Sequence, residues 1–581
     1  MKRLLLLSAM MLTFSLTMLA QITTSALSGK VTMQDTKEEV IGATVIAVHE
    51  PSGTKYTAVT NISGRFAIQG MRNGGPYTVS ISYIGYETKT FKGINLDLGE
   101  TYNLPVWISE NANELTEIVV SGKASKFSAE KTGASMNINS RQIEDMPTVS
   151  RSIADIAKMS PYSGGGMSFA GGDGRSSNFT LDGANLNNNF GLSSSLPGGG
   201  TPVSIEAIDE VQVVVAPYDV RQSNFIGGGV NAVTKSGTNT FKGSAYFYYN
   251  NEKMHGDEVD GEKVPDAEEQ SVKTYGFTLG GPIIKNKLFF FANFERTESP
   301  DVVNSWMPSS DGKANAAGYV SRTKLSDMET VRDYLLNNYG YDPGSPNSFP
   351  GDKKNTKLLA RLDWNITKDH HLAFRYNTTK DESWTPTNRT SAPDKLAKSR
   401  LSEYSMTFGN SMYSTEKNVT SWSADLNSRF SSNISNQLLV TYSKIKDGRG
   451  SNSDKFPWVD ILDGTGTNTP YMGFGYELFT WNNGVENNIF TLTDNFTWYL
   501  ASHKITAGFS YENQMANNNF MRYGTGYYRY DSLNDFLTGA TPSLVALTHG
   551  YNGEESPANE VRFKQYGLYL QDEWNIREIL G

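Results

Sequence analysis

Hydrophobic and polar residues alternate along much of the second half of the chain. Leu358, Leu362 and Trp364 lie at alternating positions of one such segment. Arg361 and Asp363 lie between them, and a period of two residues indicates a β-strand that is apolar on one side only. The same pattern predicts ten strands, at residues 241–249, 273–283, 287–296, 357–366, 371–377, 422–430, 437–443, 489–499, 505–512 and 563–576.

The predicted strands are joined by connections of two kinds. Short turns such as 367–369 alternate with long polar segments such as 297–355 and 444–488. Strands of about ten residues cross a membrane when tilted, and short turns on one side with long loops on the other are typical of outer-membrane barrels. A soluble β-propeller would also be rich in aromatic residues, but the sequence has no repeat of fixed period. The pattern therefore predicts a transmembrane antiparallel β-barrel at residues 239–581.

The start of the chain has a different pattern. Two basic residues at positions 2 and 3 precede an apolar run from Leu4 to Leu19. Residues 1–20 are therefore predicted to be a secretory signal peptide. Cleavage after Ala26 is a second interpretation of this region, and an uncleaved membrane anchor is a third.

Short strands and turns follow at residues 21–108. Residues 77–83 alternate between apolar and polar, and residues 41–48 are rich in β-branched side chains. Several short strands with Gly and Pro turns predict a small β-sandwich. His49 stands alone, without the spacing of a zinc site, so we expect a surface strand residue rather than a metal ligand.

Residues 127–238 mix short helices with strands. Asn139 is a suitable N-cap for one helix. Residues 150–159 have apolar residues at helical spacing, with Ser150 as the predicted cap. These features predict a mixed α/β module between the sandwich and the barrel, joined to the sandwich by a polar linker at residues 109–126.

Composition narrows the class of protein. The 581 residues have a net charge of −9 that is spread without blocks, which argues against a nucleic-acid partner. Cysteine is absent, so disulfides, thiolate metal sites and cysteine catalysis are excluded. The mean hydropathy is −0.44, and no apolar run after residue 20 is long enough to span a membrane as a helix. The six histidines form no metal-binding or Ser-His-Asp pattern, so we expect no metal, no cofactor, no catalytic residue and no enzyme activity.

The junction between the mixed module and the barrel resembles a known family. An alternating strand at 205–215 is followed by three consecutive glycines and an Asn-x-x-Thr-Lys turn. These features resemble the end of the plug domain of TonB-dependent outer-membrane receptors. The family usually has Arg-Gly-Pro after this strand, whereas residues 216–221 read Ala-Pro-Tyr-Asp-Val-Arg, which is similar to the Oar-like branch. The plug residues that carry the resemblance are Arg175, Asp182, Gly183, Arg221, Gly227, Gly228, Gly229, Asn231 and Lys235.

The resemblance implies a role for one of these residues. Gly174-Arg175 and the Thr-Leu-Asp-Gly sequence at 180–183 look like the Arg-Gly and Leu-Ile-Asp-Gly elements of receptor plugs. In that family Arg175 would face the barrel wall and bind carboxylates there. A solvated Arg175 is the alternative.

Two further segments resemble modules that accompany such plugs. Residues 42–45, 60–68 and 77–88 look like a carboxypeptidase regulatory-like domain, which implies no peptidase activity. Residues 114–121 resemble a TonB box, a segment that adds as a strand to the sheet of a periplasmic energy-transducing protein. The alternative is a linker strand that packs on the next domain. The central residues of the TonB-box-like segment are Glu117, Ile118, Val119 and Val120.

Chain length sets an expectation for the barrel. Plugged outer-membrane transporters use about 22 strands, which at roughly 25–30 residues per strand need roughly 550–650 residues. The 341 residues from Phe241 to Gly581 provide for about half of such a barrel, on the order of 10–12 strands. We therefore expect a mainly β protein with a sandwich, a plug and an incomplete barrel, as a fragment of a larger receptor. A complete smaller barrel is the alternative, although it is too narrow to enclose the plug.

The resemblance implies TonB-dependent import of a bulky ligand across the outer membrane. The plug and the sandwich would lie on the periplasmic side, with the long loops outside the cell. The implied partners are a TonB-type energy-transducing protein, outer-membrane lipid, an unidentified extracellular ligand and, as in some relatives, a surface lipoprotein. An Oar-like adhesion or secretion-linked barrel without nutrient import is the alternative.

Overall fold

The computed structural model describes residues 22–110, 119–121, 133–148, 150–187, 196–222, 224–254, 256, 258–259, 262–263, 271–300, 303–500, 502–555 and 557–574. The predicted signal peptide lies outside these ranges. The longest helix in them is the 15-residue segment Leu325–Tyr339, and none is both long and apolar enough to cross a membrane.

The N-terminal part is a two-sheet sandwich, as the alternating pattern predicted. One sheet has the order β4-β1-β7, with β8 also paired to β1, and the other has the order β3-β2-β5-β6-β9. Leu27, Val45 and Tyr77 are buried between the sheets. Ala26 lies inside β1, so the second candidate cleavage site falls within a strand. The strands are β1 (Ser25–Met33), β2 (Thr44–His49), β3 (Thr54–Val59), β4 (Arg65–Met71), β5 (Gly74–Ser82), β6 (Lys89–Leu96), β7 (Thr101–Asn103), β8 (Val106–Ile108) and β9 (Val119–Ser121).

The predicted surface position of His49 is wrong. The residue is only 6% exposed, because it shares the inward face of β2 with Ala47, two positions earlier. Its Nδ1 lies 2.7 Å from the Ser52 hydroxyl, and its ring centroid lies 5.0 Å from that of Tyr77. Burial, together with the nearby positive charge of Arg72, lowers the pKa of His49 to about 3. The imidazole is therefore a neutral part of the sandwich core.

The second part is the mixed α/β plug. Its main sheet has the order β10-β15-β16-β13-β14. Asn139 caps α1 through a reciprocal pair of hydrogen bonds with Gln142, as predicted. Helix α2 is capped by Ser152 rather than by Ser150, because the Ser150 hydroxyl bonds the side chain of Asp155. The elements are β10 (Gly133–Asn139), α1 (Ser140–Asp145), α2 (Ile153–Ala157), β11 (Ser163–Gly165), β12 (Ser168–Phe169), β13 (Asn178–Leu181), β14 (Ala184–Asn185), β15 (Ile208–Pro217) and β16 (Gly229–Thr234).

The third part contains a ten-stranded antiparallel sheet of order β17-β20-β21-β24-β25-β27-β28-β31-β32-β35. Its elements, with those of its connections, are β17 (Lys242–Asn251), β18 (Glu258–Val259), β19 (Glu262–Lys263), β20 (Ser271–Ile284), β21 (Leu288–Pro300), β22 (Met307–Ser309), β23 (Val320–Lys324), α3 (Leu325–Tyr339), β24 (Asp352–Asn365), β25 (His370–Thr385), β26 (Met406–Thr407), β27 (Tyr413–Arg429), β28 (Ile434–Ser451), β29 (Trp458–Leu462), β30 (Pro470–Phe474), β31 (Gly484–Leu500), β32 (His503–Asn519), β33 (Tyr527–Tyr530), α4 (Leu533–Leu537), β34 (Leu544–Ala546) and β35 (Ala558–Trp574).

Each of the ten predicted strands corresponds to one strand of this sheet. Leu358, Leu362 and Trp364 are exposed on its outer face, whereas Lys357 and Asp363 are buried on its inner face. The strands are 10 to 18 residues long, which is longer than predicted, because pairing continues beyond the apolar band into polar sequence. The prediction of a mainly β fold with an antiparallel membrane sheet is confirmed.

The long connections at one end of the sheet do not behave as simple loops. They fold together into a compact unit that we call the distal cap, with a five-stranded sheet of order β26-β30-β29-β33-β34. The Arg400 guanidinium donates two hydrogen bonds to the Asp460 carboxylate, at 2.8 and 2.7 Å, and both side chains are fully buried. A local pattern cannot predict this unit, because its core joins segments that are far apart in sequence. The distal cap comprises residues 303–350, 386–412, 452–483, 520–555 and 557.

Candidate functional site

The plug lies against the inner face of the ten-stranded sheet. Ile153 and Val211 of the plug belong to the same apolar core as Phe291, Leu359 and Val419 of the sheet. Apolar contact of this kind favours association but sets no particular orientation. The orientation is therefore determined by the polar contacts around this core.

Asp182 connects the plug to two arginines of the barrel strands. It lies in the turn after β13 with a φ of +44°, a conformation that Asp tolerates better than most residues. Its carboxylate accepts hydrogen bonds from the N–H of Thr234 at 3.0 Å and from the Thr234 hydroxyl at 2.8 Å. The guanidinium groups of Arg361 and Arg375 each approach it to 3.2 Å. We call Asp182, Thr234, Arg361 and Arg375 the plug latch.

A second polar contact joins the plug to the barrel through Arg151. Its guanidinium lies 3.0 Å from Glu206 of the plug and 3.3 Å from Glu295 of β21. The Lys357 ammonium lies 2.7 Å from the other oxygen of Glu295, so one buried carboxylate has two cationic partners. The Arg151 guanidinium also lies 4.0 Å from the centre of the Tyr248 ring, a cation–π contact.

The sandwich is held against the plug at Glu210. One carboxylate oxygen accepts hydrogen bonds from the Leu98 N–H and the Asn137 amide, both at 2.8 Å. The other accepts a hydrogen bond from Asn73 at 3.2 Å, and Asn73 also donates to Asp209 at 2.9 Å. Burial raises the pKa of Glu210 to about 8, although its amide donors oppose this change. We call Glu210 and its three donors the sandwich seat.

The sandwich also contacts the barrel strands at the end with the short turns. Arg72 donates to the Ser236 hydroxyl at 3.2 Å and approaches the buried Asp363 carboxylate to 3.7 Å. The Asn365 amide donates to the Thr54 hydroxyl at 2.9 Å. A cavity of about 1050 Å³, with charged groups from all three parts in its lining, remains between sandwich, plug and barrel. The sandwich therefore lies across the end of the barrel opposite to the distal cap.

The expected role of Arg175 is not what the structure has. Its side chain is exposed and pairs with Asp173 of the same loop, at 3.2 Å. The plug–barrel contacts described above are made by Arg151 and Asp182 instead. At Asp182 the polarity is also reversed, because the plug supplies the carboxylate and the barrel supplies the arginines.

The other predicted plug residues lie in or beside the plug sheet. Gly228 packs against Phe169, since a Cβ at this position would lie 2.9 Å from that side chain, and Gly183 has a φ of +76° in the turn beside Asp182. Arg221 pairs with Asp219 at 2.7 Å within its own segment. Gly227 precedes Gly228, and Gly229 is the first residue of β16. Asn231 accepts a hydrogen bond from Thr180 at 2.9 Å. Lys235 pairs with Glu144 at 3.1 Å.

The TonB-box-like segment is only partly within the described residues. Glu117 and Ile118 lie outside them. Val119 and Val120 belong to β9, whose backbone pairs in parallel with β6 of the sandwich. The described end of the segment, Val119–Ser121, thus lies beside the sandwich.

Sequence analysis missed most of the barrel side of the site. Arg375, Glu295 and Lys357 are charged residues on the inward face of predicted strands. The alternation assigned them to the polar face, but it did not distinguish residues that contact the plug from residues that contact water. The longer strands of the structure place all three away from strand ends, whereas the predicted strands had Lys357 and Glu295 at or next to an end, where a charge needs no buried partner.

The polar groups of the site form hydrogen bonds and ion pairs with one another. In the parts of the chain that the structure describes, no three His, Asp or Glu side chains converge as a metal site. The ion pairs are enclosed between apolar contacts, where breaking one leaves a buried charge without a partner. The arrangement can therefore hold a plug and a sandwich in place, and their release requires work.

Comparison with known families supports both resemblances seen in the sequence. Residues 233–580, more than half of the chain, match the outer membrane β-barrel domain, and residues 26–107 match the carboxypeptidase regulatory-like domain. The TonB-dependent transporter Oar of Myxococcus xanthus is 25% identical over 377 residues, which are 61% of this chain and 33% of that protein. The probable TonB-dependent siderophore receptor PirA of Acinetobacter baumannii is 29% identical over 223 residues, 36% of this chain and 27% of that protein.

A solved structure shares the fold. The outer-membrane transporter YddB from Escherichia coli aligns with a TM-score of 0.53 at 12% identity, over 76% of this chain and 54% of that one. The chain spans about a third of the length of the curated relatives that it matches. With a matching family over residues 233–580 and a ten-stranded sheet that is apolar outside and polar inside, the protein belongs to the outer membrane β-barrel family and is located in the outer membrane.

Proposed function

We propose that the protein acts as a TonB-dependent receptor that imports a bulky ligand across the outer membrane. The observation that carries this proposal is the plug latch, which holds a folded plug against the inner face of the barrel strands by buried ion pairs. A plug held in this way needs an energy source to move. The relatives Oar and PirA are both described as TonB-dependent, which supports the same source here.

The asymmetry of the molecule supports an orientation in the membrane. The short turns and the sandwich lie at one end, and the distal cap lies at the other. We assign the sandwich end to the periplasm and the distal cap to the cell surface, since short turns face the periplasm in outer-membrane barrels. A ligand would then meet the distal cap and the outer surface of the plug first, and a TonB-type protein would capture the segment around residues 117–120.

Capture of that segment provides the test of the proposal. A proline at Ile118 or Val120 removes an N–H that strand addition to a partner requires. We expect Ile118→Pro and Val120→Pro to bind the purified C-terminal domain of a TonB protein at least tenfold more weakly than the unchanged protein. Ala124→Pro, beyond the segment, is the matched control and should bind normally. The readout is binding of the partner domain to detergent-solubilised protein.

A second readout separates import from adhesion. A strain without the receptor would be complemented with each variant and grown in competition under a condition in which the deletion slows growth. For an importer, Ile118→Pro should grow like the deletion strain and Ala124→Pro like the wild type. Full complementation by Ile118→Pro would contradict energised import and would favour the adhesion or secretion-linked alternative.

A further inference from the structure

We propose that strand β6 of the sandwich is a binding site for the chain's own TonB-box-like segment, and that the periplasmic partner must displace this segment before it is captured. The proposal rests on the function proposed above. It assigns the sandwich a role as an internal competitor of the partner protein.

The pairing itself is the first observation. Thr90, Phe91 and Lys92 of β6 lie opposite Val119, Val120 and Ser121 of β9, in parallel register. On its other side β6 pairs with β5, so β9 occupies the only free edge of that strand. An uncovered edge would expose unpaired N–H and C=O groups to any added strand. The edge that receives β9 is thus the same kind of surface that a TonB-type partner is expected to offer.

The chain before the segment is held beside the same edge. The N–H of Glu87 donates to the carbonyl of Ser109 at 3.2 Å, and Tyr86 forms an isolated antiparallel bridge with Glu110. Only eight residues separate Glu110 from Val119. A short tether gives an effective concentration in the millimolar range, on the order of 1 mM. A partner at lower concentration therefore competes at a disadvantage for the same backbone groups.

The strand that binds the segment also leads to the sandwich seat. Strand β6 ends at Leu96, and the N–H of Leu98, two residues later, bonds Glu210 of the plug. The segment is attached to the sandwich on its N-terminal side and to the plug on its C-terminal side. A partner that pulls on the segment would therefore apply force to the sandwich seat as well as to the plug.

The pairing can be tested by cross-linking, because the chain has no cysteine of its own. The double variant Thr90→Cys with Val119→Cys places two thiols on directly opposed residues, within the range for a disulfide. Thr90→Cys with Ser121→Cys shifts the second thiol by two residues, beyond that range. In isolated outer membranes we expect mild oxidation to cross-link most of the first variant and little of the second. Equal cross-linking of both variants, or none of the first, would overturn the pairing.

The competition is tested on the same in-register variant. After oxidation, it should bind the purified C-terminal domain of a TonB protein at least tenfold more weakly than after reduction with dithiothreitol. The comparison is made between the two redox states of one variant, so any effect of the substitutions themselves on partner binding is the same in both. Equal binding before and after reduction would overturn the competition. If neither the reduced variant nor the unchanged protein binds the partner domain, the proposed capture by a TonB protein is wrong, and so is the competition. An in-register cross-link would still establish the pairing of β6 with β9.

Discussion

The backbone N–H of Leu98, in the sandwich, donates a hydrogen bond of 2.8 Å to the carboxylate of Glu210, in the plug. Ile22 and Leu98 of the sandwich also pack against Val233 of the plug, and Asn73 donates to the same carboxylate from a side chain. Because the Leu98 donor is a backbone group just beyond β6, its position is fixed by the sandwich sheet. Protection of the Leu98 N–H from exchange therefore shows whether the sandwich is bound to the plug.

Replacing Glu210 should loosen the sandwich. Glu210→Ala leaves the Leu98 N–H without its acceptor and removes one of the two acceptors of the Asn137 amide, which still donates to the Leu98 carbonyl at 2.8 Å. An unsatisfied buried group costs about 1–3 kcal/mol. We expect amide hydrogen exchange in the peptide around Leu98 to become roughly tenfold faster, as measured by mass spectrometry. Glu38→Ala, at an exposed turn of the sandwich, is the control and should leave exchange unchanged. Unchanged exchange in Glu210→Ala would mean that other contacts seat the sandwich.

Binding of the sandwich to the plug should also weaken as pH rises. Burial raises the pKa of Glu210 to about 8 from an ordinary value of 4.5, so the seated state holds a proton that the released state gives up. The contribution of Glu210 to the free energy that holds the sandwich on the plug is fully present below pH 4.5. It is lost as pH rises from 4.5 through 8, at about 1.4 kcal/mol per pH unit between these two values. Asp209, beside it, also has a raised pKa because of burial and acts in the same direction.

The measurement is hydrogen exchange around Leu98 from pH 6.5 to 8.5, corrected for intrinsic rates. Opening should increase across this range in the unchanged protein and increase less in Glu210→Gln, in which only Asp209 remains to contribute. The range avoids the titration of His49, whose pKa is lowered to about 3. The effect of His49 on stability has the opposite pH dependence to that of Glu210. Its contribution to the stability of the sandwich is lost only as pH falls from about 6.5 through 3. An opening that decreases with pH would contradict the raised pKa of Glu210.

The plug latch should be sensitive to loss of one charge. Asp182→Asn keeps the shape of the side chain but removes the carboxylate that faces Arg375, which is otherwise bonded to the Ser421 hydroxyl and the Leu181 carbonyl. A buried charge left without its partner costs about 3–5 kcal/mol. We expect a lower thermal unfolding midpoint of the protein in detergent. Asp173→Asn removes an exposed carboxylate and should leave the midpoint nearly unchanged.

A second substitution distinguishes charge loss from general damage. Arg375→Met in the Asp182→Asn background removes the unpaired guanidinium and should recover part of the lost stability. A double variant that is no more stable than Asp182→Asn alone would indicate that the charge pair contributes little.

The distal cap contains two arginine–carboxylate pairs of similar geometry and different burial. Arg400 and Asp460 are fully buried; burial alone would raise the pKa of Asp460, but the Arg400 guanidinium holds it below its usual range. Arg332 donates to Asp342 at 2.9 and 3.0 Å, but this pair is exposed. Arg400→Lys should destabilise the cap by about 3 kcal/mol or more, whereas Arg332→Lys should cost less than about 1 kcal/mol. Proteolysis of the cap measures the difference, and equal rates for the two variants would contradict it.

The sequence predicted what depends on local alternation and missed what depends on distant contacts. All ten strands followed from the period of two residues, because a sheet that faces lipid outside and a polar interior inside must alternate. Asp182 was found through a turn motif that its φ of +44° explains. Arg375 and Glu295 were not found, because their partners belong to another part of the chain. Arg175 pairs with Asp173 in its own loop, a contact that the motif did not predict, since a motif gives a residue's position in the chain but not the direction of its side chain.

The core of the distal cap has a consequence for the order of assembly. It combines Val331, Phe408, Phe474 and Phe536, which come from four different connections between barrel strands. None of these connections can bury its own apolar side chains without the other three. The cap is therefore expected to form only after the strands β21 to β35 have paired in register. Protease resistance of the cap should therefore develop later than that of the strand hairpins when refolding in detergent is followed over time. A single wrong pairing would leave the cap open, so protease sensitivity of the cap would identify a misassembled barrel.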